Sequence, residues 1–264
     1  MIFALVGGDE RAVFLGERLL KTGSEVKYSA LEKAVCCCDT LEECVNDAQC
    51  VILGVPSVRN GFVNAPLSGV KIAPEEVYSL LTPAQTLCGG FGKTGICTDA
   101  AVFDLLGSES FALGNAALTA EGAIALLTES SVGALRGSKL LILGAGRVAS
   151  ALRQRLNAFE TSVTVGARAD GTLEKALSEL GKFDYIVNTV PARIIGKEAL
   201  EKAKRGAVIM ELASAPGGFD RESAEKAGLC VINAPGLPGR FSPRASAELM
   251  EKEILAYMEA YHGE

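Results

Sequence analysis

The 264-residue chain has a single histidine, His262, two residues before its last residue. Ser-His-Asp and Cys-His enzymes need an imidazole base beside the nucleophile, so this composition argues against both classes. The eight cysteines include no Cys-x-x-Cys pair, although five of them lie within residues 36–50. These are poor materials for a zinc site, and we expect no metal.

The sequence also lacks a long apolar run, a basic leader and a positive charge excess. No run approaches the roughly 20 apolar residues that span a bilayer, so we expect no membrane segment. The apolar residues 1–6 lead directly into Gly7-Gly8, which is typical of a first strand and not of a signal peptide. A net charge of −6 argues against nucleic-acid binding. Without a secretion signal, the cysteines are interpreted as free buried thiols in a reducing cytoplasm.

The most informative segment is Gly144-Ala145-Gly146-Arg147-Val148-Ala149, a Gly-x-Gly-x-x-Ala turn after the apolar residues 140–143. Between a strand and a helix, this pattern is the dinucleotide-binding fingerprint. The first glycine allows the tight turn, and the second lets the backbone approach a pyrophosphate. The small Ala149 allows close packing of helix on strand. The alternative is a tight turn that binds no ligand.

Strands alternating with helices predict two doubly wound, Rossmann-like α/β domains flanking a cleft. In the second domain, residues 137–242, we predict strands at 140–143, 162–165, 185–189, 207–212 and 230–233. The first domain, residues 1–114, is predicted to have strands at 1–6, 26–28, 50–56 and 86–90. A helix over 119–131, capped by Thr119, lies in the connection 115–136. A C-terminal helix within 243–264, capped by Ser242, returns to the first domain through an apolar stripe of Met250, Ile254, Tyr257 or Met258, and Tyr261.

The end of the second Rossmann strand indicates which dinucleotide is bound. NAD sites usually carry an acidic residue there for the ribose 2′-hydroxyl, but this chain has Gly166-Ala167-Arg168. An arginine suits a 2′-phosphate, which favours NADP over NAD. A solvated loop position for Arg168 is the alternative.

Other candidate cofactor contacts lie at the ends of later strands, where open α/β sheets bind ligands. They are Thr189, Val190, Pro191, Ser214 and Pro216, with Arg147, Val148 and Ala167 completing the set. Ordinary loop formation explains the proline- and glycine-rich segments almost as well.

Polar residues near the two connections between the domains predict a site for a small dicarboxylate. Asp9, Thr119 and Glu121 are the candidate catalytic residues, and a carboxylate such as Asp9 or Glu121 could handle protons. The candidate substrate-binding residues are Arg11, Asn115, Arg240, Ser242 and Arg244. The alternative is helix capping by Thr119 and Ser242, with the arginines on solvated faces.

Several segments together carry a resemblance to a known family. They are residues 137–147, 165–168, 188–191, 211–218, 233–239 and 242–244, with Gly7-Gly8-Asp9-x-Arg11 and Glu121-Gly122. The most specific are Ala-Ser-Ala-Pro-Gly-Gly at 213–218 and Ala-Pro-Gly-Leu-Pro-Gly at 234–239. Over its whole length, the chain resembles the A-subunit family of dipicolinate synthase.

The resemblance implies an NADP-dependent oxidoreductase that acts with a flavoprotein-like B-subunit in the mother-cell cytoplasm of a spore former. Together they would make dipicolinate from dihydrodipicolinate or hydroxytetrahydrodipicolinate of the lysine pathway. It implies dinucleotide contacts from Gly144, Gly146, Arg147, Arg168 and Pro191, and substrate contacts from Asp9, Arg11, Thr119 and Glu121. A homo-oligomer is left open.

Two other functions also fit the residues. One is another small NADP-dependent dehydrogenase, similar to shikimate or 2-hydroxyacid dehydrogenases, although the latter need a catalytic histidine. The other is a non-catalytic subunit that binds NADP and scaffolds a second protein.

Overall fold

The computed structural model describes residues 1–130 and 133–262. They form two compact units, one of residues 1–115 and 242–264 (unit 1) and one of residues 116–241 (unit 2). Ser131, which we placed in the predicted helix 119–131, lies outside the described residues, as do the last two residues of the predicted segment 243–264.

Unit 1 contains a five-stranded parallel sheet with strand order β2-β1-β3-β6-β7 and a separate two-stranded hairpin, β4-β5. Its strands are β1 (Ile2–Val6), β2 (Glu25–Ser29), β3 (Cys50–Leu53), β4 (Val58–Arg59), β5 (Phe62–Val63), β6 (Thr86–Gly89) and β7 (Ala101–Asp104). The hairpin and β7 were not predicted. The hairpin strands have two residues each, too few to show a hydrophobic period, and β7 is an edge strand whose side chains are at most partly buried.

Unit 2 contains a five-stranded parallel sheet with strand order β12-β11-β10-β8-β9. All five strands were predicted to within about two residues, the usual uncertainty of strand ends. They are β8 (Lys139–Leu143), β9 (Ser162–Gly166), β10 (Tyr185–Asn188), β11 (Val208–Glu211) and β12 (Cys230–Asn233). The prediction of two doubly wound, Rossmann-like domains is confirmed.

The helices of unit 1 are α1 (Glu10–Lys21), α2 (Leu41–Val45), α3 (Pro74–Leu80) and α10 (Pro243–His262). Those of unit 2 are α5 (Arg147–Leu156), α6 (Leu173–Ser178), α7 (Lys197–Glu201), α8 (Arg221–Lys226) and α9 (Leu237–Phe241). Helix α4 (Glu109–Ser130) begins in unit 1 and ends in unit 2.

Each sheet is buried on both faces, which explains why its central strands are continuous apolar runs. In β1, Phe3 and Leu5 face the core that contains α1 and α10, whereas Ala4 and Val6 face the opposite core. In β8, Leu140 and Ile142 face one core of unit 2, and the alternate residues Leu141 and Leu143 face the other.

The C-terminal helix α10 packs on α1 in unit 1, as predicted. Its Met250, Ile254 and Met258 are buried in the same core as Leu15 of α1. Tyr261, which we placed in the same stripe, is 49% exposed. It lies one turn beyond Met258, where it stacks on the ring of Tyr257.

Helix α4 begins ten residues before the predicted start at Thr119, so Thr119 is an interior residue and not an N-cap. Gly114 lies within the part of the helix that was not predicted. A Cβ at position 114 would lie 2.6 Å from Leu249 Cδ1, so glycine here allows the close approach of the Leu249 side chain of α10. By length and composition α4 could cross a membrane, a criterion that core helices of soluble proteins also meet, and its Phe111 and Leu127 are fully buried.

The cysteines are only partly as expected. Cys44, Cys50 and Cys88 are buried, but Cys36, Cys97 and Cys230 are exposed free thiols. Burial raises the pKa of Cys44 to about 12, so that thiol remains protonated at neutral pH. Within the described ranges, no three His, Cys, Asp or Glu side chains are grouped to hold a metal ion.

Asp184 connects two segments of unit 2 at the start of β10. Its carboxylate accepts hydrogen bonds from Lys139 N–H at 2.9 Å and from Lys204 Nζ at 2.6 Å, and these contacts lower its pKa. A lowered pKa stabilises the fold above the unfolded value of about 3.9, and this stabilisation is lost as the pH falls through the folded value.

We expect Asp184→Asn to lower the free energy of unfolding by about 1 kcal/mol at neutral pH, since the carboxylate is partly solvent-screened. Urea unfolding from neutral pH to about pH 3 measures this difference, which should shrink towards the acid end. Glu174→Gln, at an exposed position of α6, is the control. An unchanged difference between Asp184→Asn and the wild type at every pH would contradict the assignment.

Candidate functional site

The two glycines of the turn between β8 and α5 differ in backbone conformation and in the space around them. Gly144 has φ +108°, and a Cβ there would lie 2.3 Å from Thr189 Oγ1, so the fold itself requires glycine. Gly146 has φ −80°, and a Cβ there would meet no atom within 4 Å. The fold therefore does not require glycine at position 146, and the space beside it faces outward from the turn.

The N-terminus of α5 has the properties of an anion site. Gly146 is its N-cap and provides no side-chain hydrogen bond, and the first turn of the helix contains no acidic residue. Arg147 adds a positive charge there. N–H groups at an uncapped helix N-terminus point outward with the positive end of the helix dipole, which suits a pyrophosphate.

A cavity of about 290 Å³ adjoins this turn. Its walls come from the ends of β8 and β9, the start of α6 and the segment after β10. Gly144, Ala167, Arg168 and Val190 were predicted to contact a cofactor, and all four line the cavity. The other lining residues are Ala145, Gly166, Ala169, Leu173 and Ile194. A mostly apolar recess beside a helix N-terminus without a side-chain cap is suited to the adenosine half of a dinucleotide.

The segment after β9 offers a guanidinium at the rim of the cavity. Arg168 is exposed and lines it, whereas residues 166–168 contain no carboxylate. The next carboxylate, Asp170, accepts hydrogen bonds from Thr172 N–H at 3.1 Å and Thr172 Oγ1 at 2.6 Å. These bonds to Thr172 lower the pKa of Asp170 and engage one of its oxygens in the turn before α6.

The remaining predicted cofactor residues divide into two groups. The first, Thr189 and Val148, lies beside the glycine turn. Thr189 donates from N–H and Oγ1 to the carbonyl of Leu143, at 2.9 and 2.8 Å, so it supports the Gly144 turn. Val148 lies half-buried in the first turn of α5. The second group, on the loops after β10 and β11, is solvent-exposed and comprises Pro191, Ser214 and Pro216.

Two polar residues that we did not predict as site residues lie at the ends of neighbouring strands. Asn188 ends β10 and Glu211 ends β11, and the two are paired in the sheet register. The distance from Asn188 Nδ2 to Glu211 Oε1 is 2.7 Å. The signal in the sequence was a polar residue closing each of two apolar strands, at the sheet edge where ligands bind.

The corresponding turn of unit 1, Gly7-Gly8-Asp9, is already filled by the protein. Asp9 caps α1 by accepting the N–H of Arg11 at 3.1 Å, and Gly8 N–H donates to the carbonyl of Asn64 at 2.7 Å. Val63 lies where a Cβ of Gly7 would be, at 2.9 Å. An acidic cap and the β4-β5 hairpin thus occupy the place that a phosphate would need.

Asp9 and Arg11 form a two-bond ion pair beside this turn. Arg11 Nε lies 2.8 Å from Asp9 Oδ1, and Nη2 lies 2.7 Å from Oδ2; Nη2 also donates to the carbonyl of Val55. The Arg11 side chain is 7% exposed. Its Nη1 makes no hydrogen bond to the described residues.

Arg244 lies on the same helix pair of unit 1. Its guanidinium stacks on the ring of Phe14 at 4.6 Å. Phe14 follows Arg11 by three residues, so the two arginines flank one turn of α1. Ser242 is half-buried, and its carbonyl accepts the N–H of Ser246 at 2.9 Å, in the first turn of α10.

The other predicted substrate-side residues lie on α4 and α9. Asn115 and Thr119 are half-buried interior residues of α4. Glu121 forms an ion pair with Arg155 of α5 at 3.1 Å. Arg240, on α9, stacks on the neighbouring ring of Phe241 at 5.2 Å.

Comparison with known proteins agrees with the motifs. Residues 2–102 match the family described as the N-terminal domain of the dipicolinate synthase A-subunit. The dipicolinate synthase A-subunit of Bacillus subtilis is 25% identical over 290 residues, covering 98% of this chain and 97% of that protein. The resemblance to this family is confirmed. The full-length similarity includes both α/β units.

Solved structures show the same fold. The crystal structure of the dipicolinate synthase A-subunit from Bacillus halodurans superposes with a TM-score of 0.82 at 21% identity and 97% coverage of both chains. The D-lactate dehydrogenase of Escherichia coli superposes with a TM-score of 0.62 at 11% identity, covering 100% of this chain and 98% of that one. These superpositions show that the chain shares its fold with both proteins.

Proposed function

We propose that this chain is the NADP-binding, catalytic A-subunit of a dipicolinate synthase. The observation that carries the proposal is full-length similarity to that protein in Bacillus subtilis, combined with an uncapped phosphate-binding turn beside an adenosine-sized cavity in unit 2. The proposed holders of the dinucleotide are the first turn of α5, Ala167, Arg168 and Val190, with Thr189, Pro191, Ser214 and Pro216 on its nicotinamide side. Arg168 favours NADP, because its guanidinium can bind a 2′-phosphate.

The proposed reaction is oxidation of dihydrodipicolinate. The ring loses one hydride and one proton and becomes the aromatic pyridine-2,6-dicarboxylate, while NADP⁺ becomes NADPH. Bound nicotinamide supplies the hydride acceptor. Because aromatisation favours the product, the protein chiefly has to orient the substrate. If hydroxytetrahydrodipicolinate is the substrate, it must first lose water.

The proposed substrate contacts are cationic and polar. Arg11 offers Nη1 to a carboxylate while Asp9 fixes its other nitrogens, so the guanidinium is held in one orientation. Arg244, stacked on Phe14, offers a second charge on the same helix pair. Arg240, Asn115 and Ser242 are the further proposed contacts.

Asp9 and Glu121 are the proposed proton acceptors, with Thr119 as a polar contact. Each carboxylate contacts a guanidinium, Asp9 that of Arg11 and Glu121 that of Arg155. We expect Asp9→Asn or Glu121→Gln to lower kcat by about 100-fold, the usual contribution of a general base. Glu17→Gln, exposed on α1, is the control. Full turnover in both Asp9→Asn and Glu121→Gln would exclude the acid-base role.

The reaction is tested with the purified chain, dihydrodipicolinate and NADP⁺, in the presence and absence of a flavoprotein-like B-subunit. Formation of equal amounts of dipicolinate and NADPH is the expected result, in a complex that we propose acts in the cytoplasm. Tight binding of NADP⁺ without turnover, both alone and with the flavoprotein-like partner, would instead indicate a non-catalytic scaffold. Oxidation of 2-hydroxyacids would indicate the other dehydrogenase class, which the single terminal histidine disfavours.

A further inference from the structure

Asn188 and Glu211 form a polar pair at the carboxyl edge of the unit 2 sheet. Asn188 is fully buried, and Glu211 is half-buried. Asn188 Nδ2 donates to Glu211 Oε1 at 2.7 Å. A buried amide in contact with a carboxylate is retained only where its hydrogen bonds are satisfied, so the pair has a fixed geometry.

Glu211 closes the loop that follows its own strand. Its Oε1 accepts Ala213 N–H at 3.0 Å, and its Oε2 accepts Gly218 N–H at 2.6 Å. The loop lies so close that a Cβ at Gly217 would be 2.9 Å from Oε2, and one at Gly218 would be 2.4 Å from Asn188 Nδ2. One carboxylate therefore holds both ends of the segment 213–218.

Asn188 holds the neighbouring loop in the same way. Its Nδ2 donates to Val190 O at 2.9 Å, and its Oδ1 accepts Val190 N–H at 3.2 Å. The carbonyl of Gly218 accepts the N–H groups of Ile194 and Ile195, both at 2.9 Å. Val190 and Ile194 also line the cavity beside Gly144. The loops after β10 and β11 are thus one hydrogen-bonded unit that includes a wall of the cavity.

We propose that Glu211 is a positioning residue that sets two loops to receive the nicotinamide half of the dinucleotide. It holds the loop 213–218 directly and the loop 189–195 through Asn188. The inference rests on the proposed dinucleotide function of unit 2. In such sheets the ligand extends along the carboxyl ends of the strands. With adenosine beside β9 and pyrophosphate at α5, the remaining half lies towards β10 and β11.

The chemistry of the side chain provides the test. A carboxylate only accepts hydrogen bonds, and here it receives three N–H groups. In Glu211→Gln, an amide NH₂ must face at least one of those donors, which releases part of the loop. Glu211→Asp keeps the acceptors but is one methylene too short to reach both ends of the loop.

The experiment compares NADPH with 2′-phospho-ADP-ribose, which is NADP without its nicotinamide. We expect Glu211→Gln to raise the Kd of NADPH about tenfold and to leave that of 2′-phospho-ADP-ribose within about twofold. Glu222→Gln, on exposed α8, should change neither. If Glu211→Gln does not fold, Glu211→Asp is used instead. It should raise the Kd of NADPH severalfold and leave that of 2′-phospho-ADP-ribose nearly unchanged. Thermal unfolding confirms that each variant is folded.

If the variant bound NADPH and 2′-phospho-ADP-ribose equally more weakly, Glu211 would have a merely structural role and the inference would be overturned. Unchanged binding of both ligands would overturn it too. If the wild-type chain binds neither NADPH nor 2′-phospho-ADP-ribose, the proposed function fails as well. Selective loss of NADPH affinity in a folded variant is the one result that supports the role of Glu211.

Discussion

Gly146→Ala is expected to weaken binding of NADP⁺ at least about tenfold while the chain remains folded. At this position the backbone has φ −80° and ψ −171°, which alanine adopts easily, and its Cβ would meet no protein atom within 4 Å. The added methyl group would project into the space that the proposed pyrophosphate occupies. Isothermal titration with NADP⁺, together with thermal unfolding, separates the two effects.

Gly196 provides a matched control. It is the N-cap of α7 with φ −77° and ψ 165°, and a Cβ there would also meet no atom within 4 Å. Gly196→Ala should therefore change stability as Gly146→Ala does, by less than about 1 kcal/mol, without changing affinity. If Gly146→Ala and Gly196→Ala bound NADP⁺ with equal affinity, the α5 turn would not be part of the binding site.

Gly144→Ala is expected to differ from both, because the backbone at φ +108° and the contact with Thr189 Oγ1 exclude a Cβ. It should unfold at lower denaturant concentration. We therefore expect separable roles for the two glycines of this motif, Gly144 in the fold and Gly146 in binding.

Arg168→Ala is expected to raise the Kd of NADP⁺ by about 10- to 100-fold and to leave that of NAD⁺ nearly unchanged. The physical reason is loss of charge-assisted hydrogen bonds to the 2′-phosphate at the rim of the cavity. Arg168 is exposed, so its removal should have little effect on stability. Titration with both dinucleotides measures the change in preference.

The control for Arg168→Ala is Arg153→Ala, which removes the same charge from an exposed position on α5. It should alter neither affinity beyond a small electrostatic effect. A wild-type chain that prefers NAD⁺, or an Arg168→Ala variant that loses both dinucleotides equally, would refute the assignment of the 2′-phosphate to this arginine.

Much of the fold was predictable because parallel strands buried on both faces are apolar along their whole length. The central strands β1, β3, β8 and β10 are the clearest examples, whereas the edge strands β2, β9 and β12 are only partly buried. Strand β7, the β4-β5 hairpin and the first turns of α4 were missed. The close approach of Leu249 to Gly114, for example, exists only in the folded chain and leaves no local pattern in the sequence.

The candidate site was predictable only where one local segment carries it. The Gly-x-Gly-x-x-Ala turn and the arginine after β9 are local, so their positions followed from the sequence. The Asn188–Glu211 pair is not local, because it joins residues 23 positions apart. Among the substrate-side residues, the Asp9–Arg11 pair is local, whereas the stacking of Arg244 on Phe14 depends on the packing of α10 against α1.

The sequence by itself determined that this chain has two α/β units, each with a glycine-rich turn after its first strand. Only the tertiary structure decided that the two turns are different. In unit 1, Asp9 caps the helix, and Asn64, the residue after the β4-β5 hairpin, supplies the carbonyl that accepts Gly8 N–H. In unit 2, the α5 N-terminus has no side-chain cap and opens beside a cavity. The physical reason is that the availability of a backbone N–H group depends on what the rest of the chain places next to it.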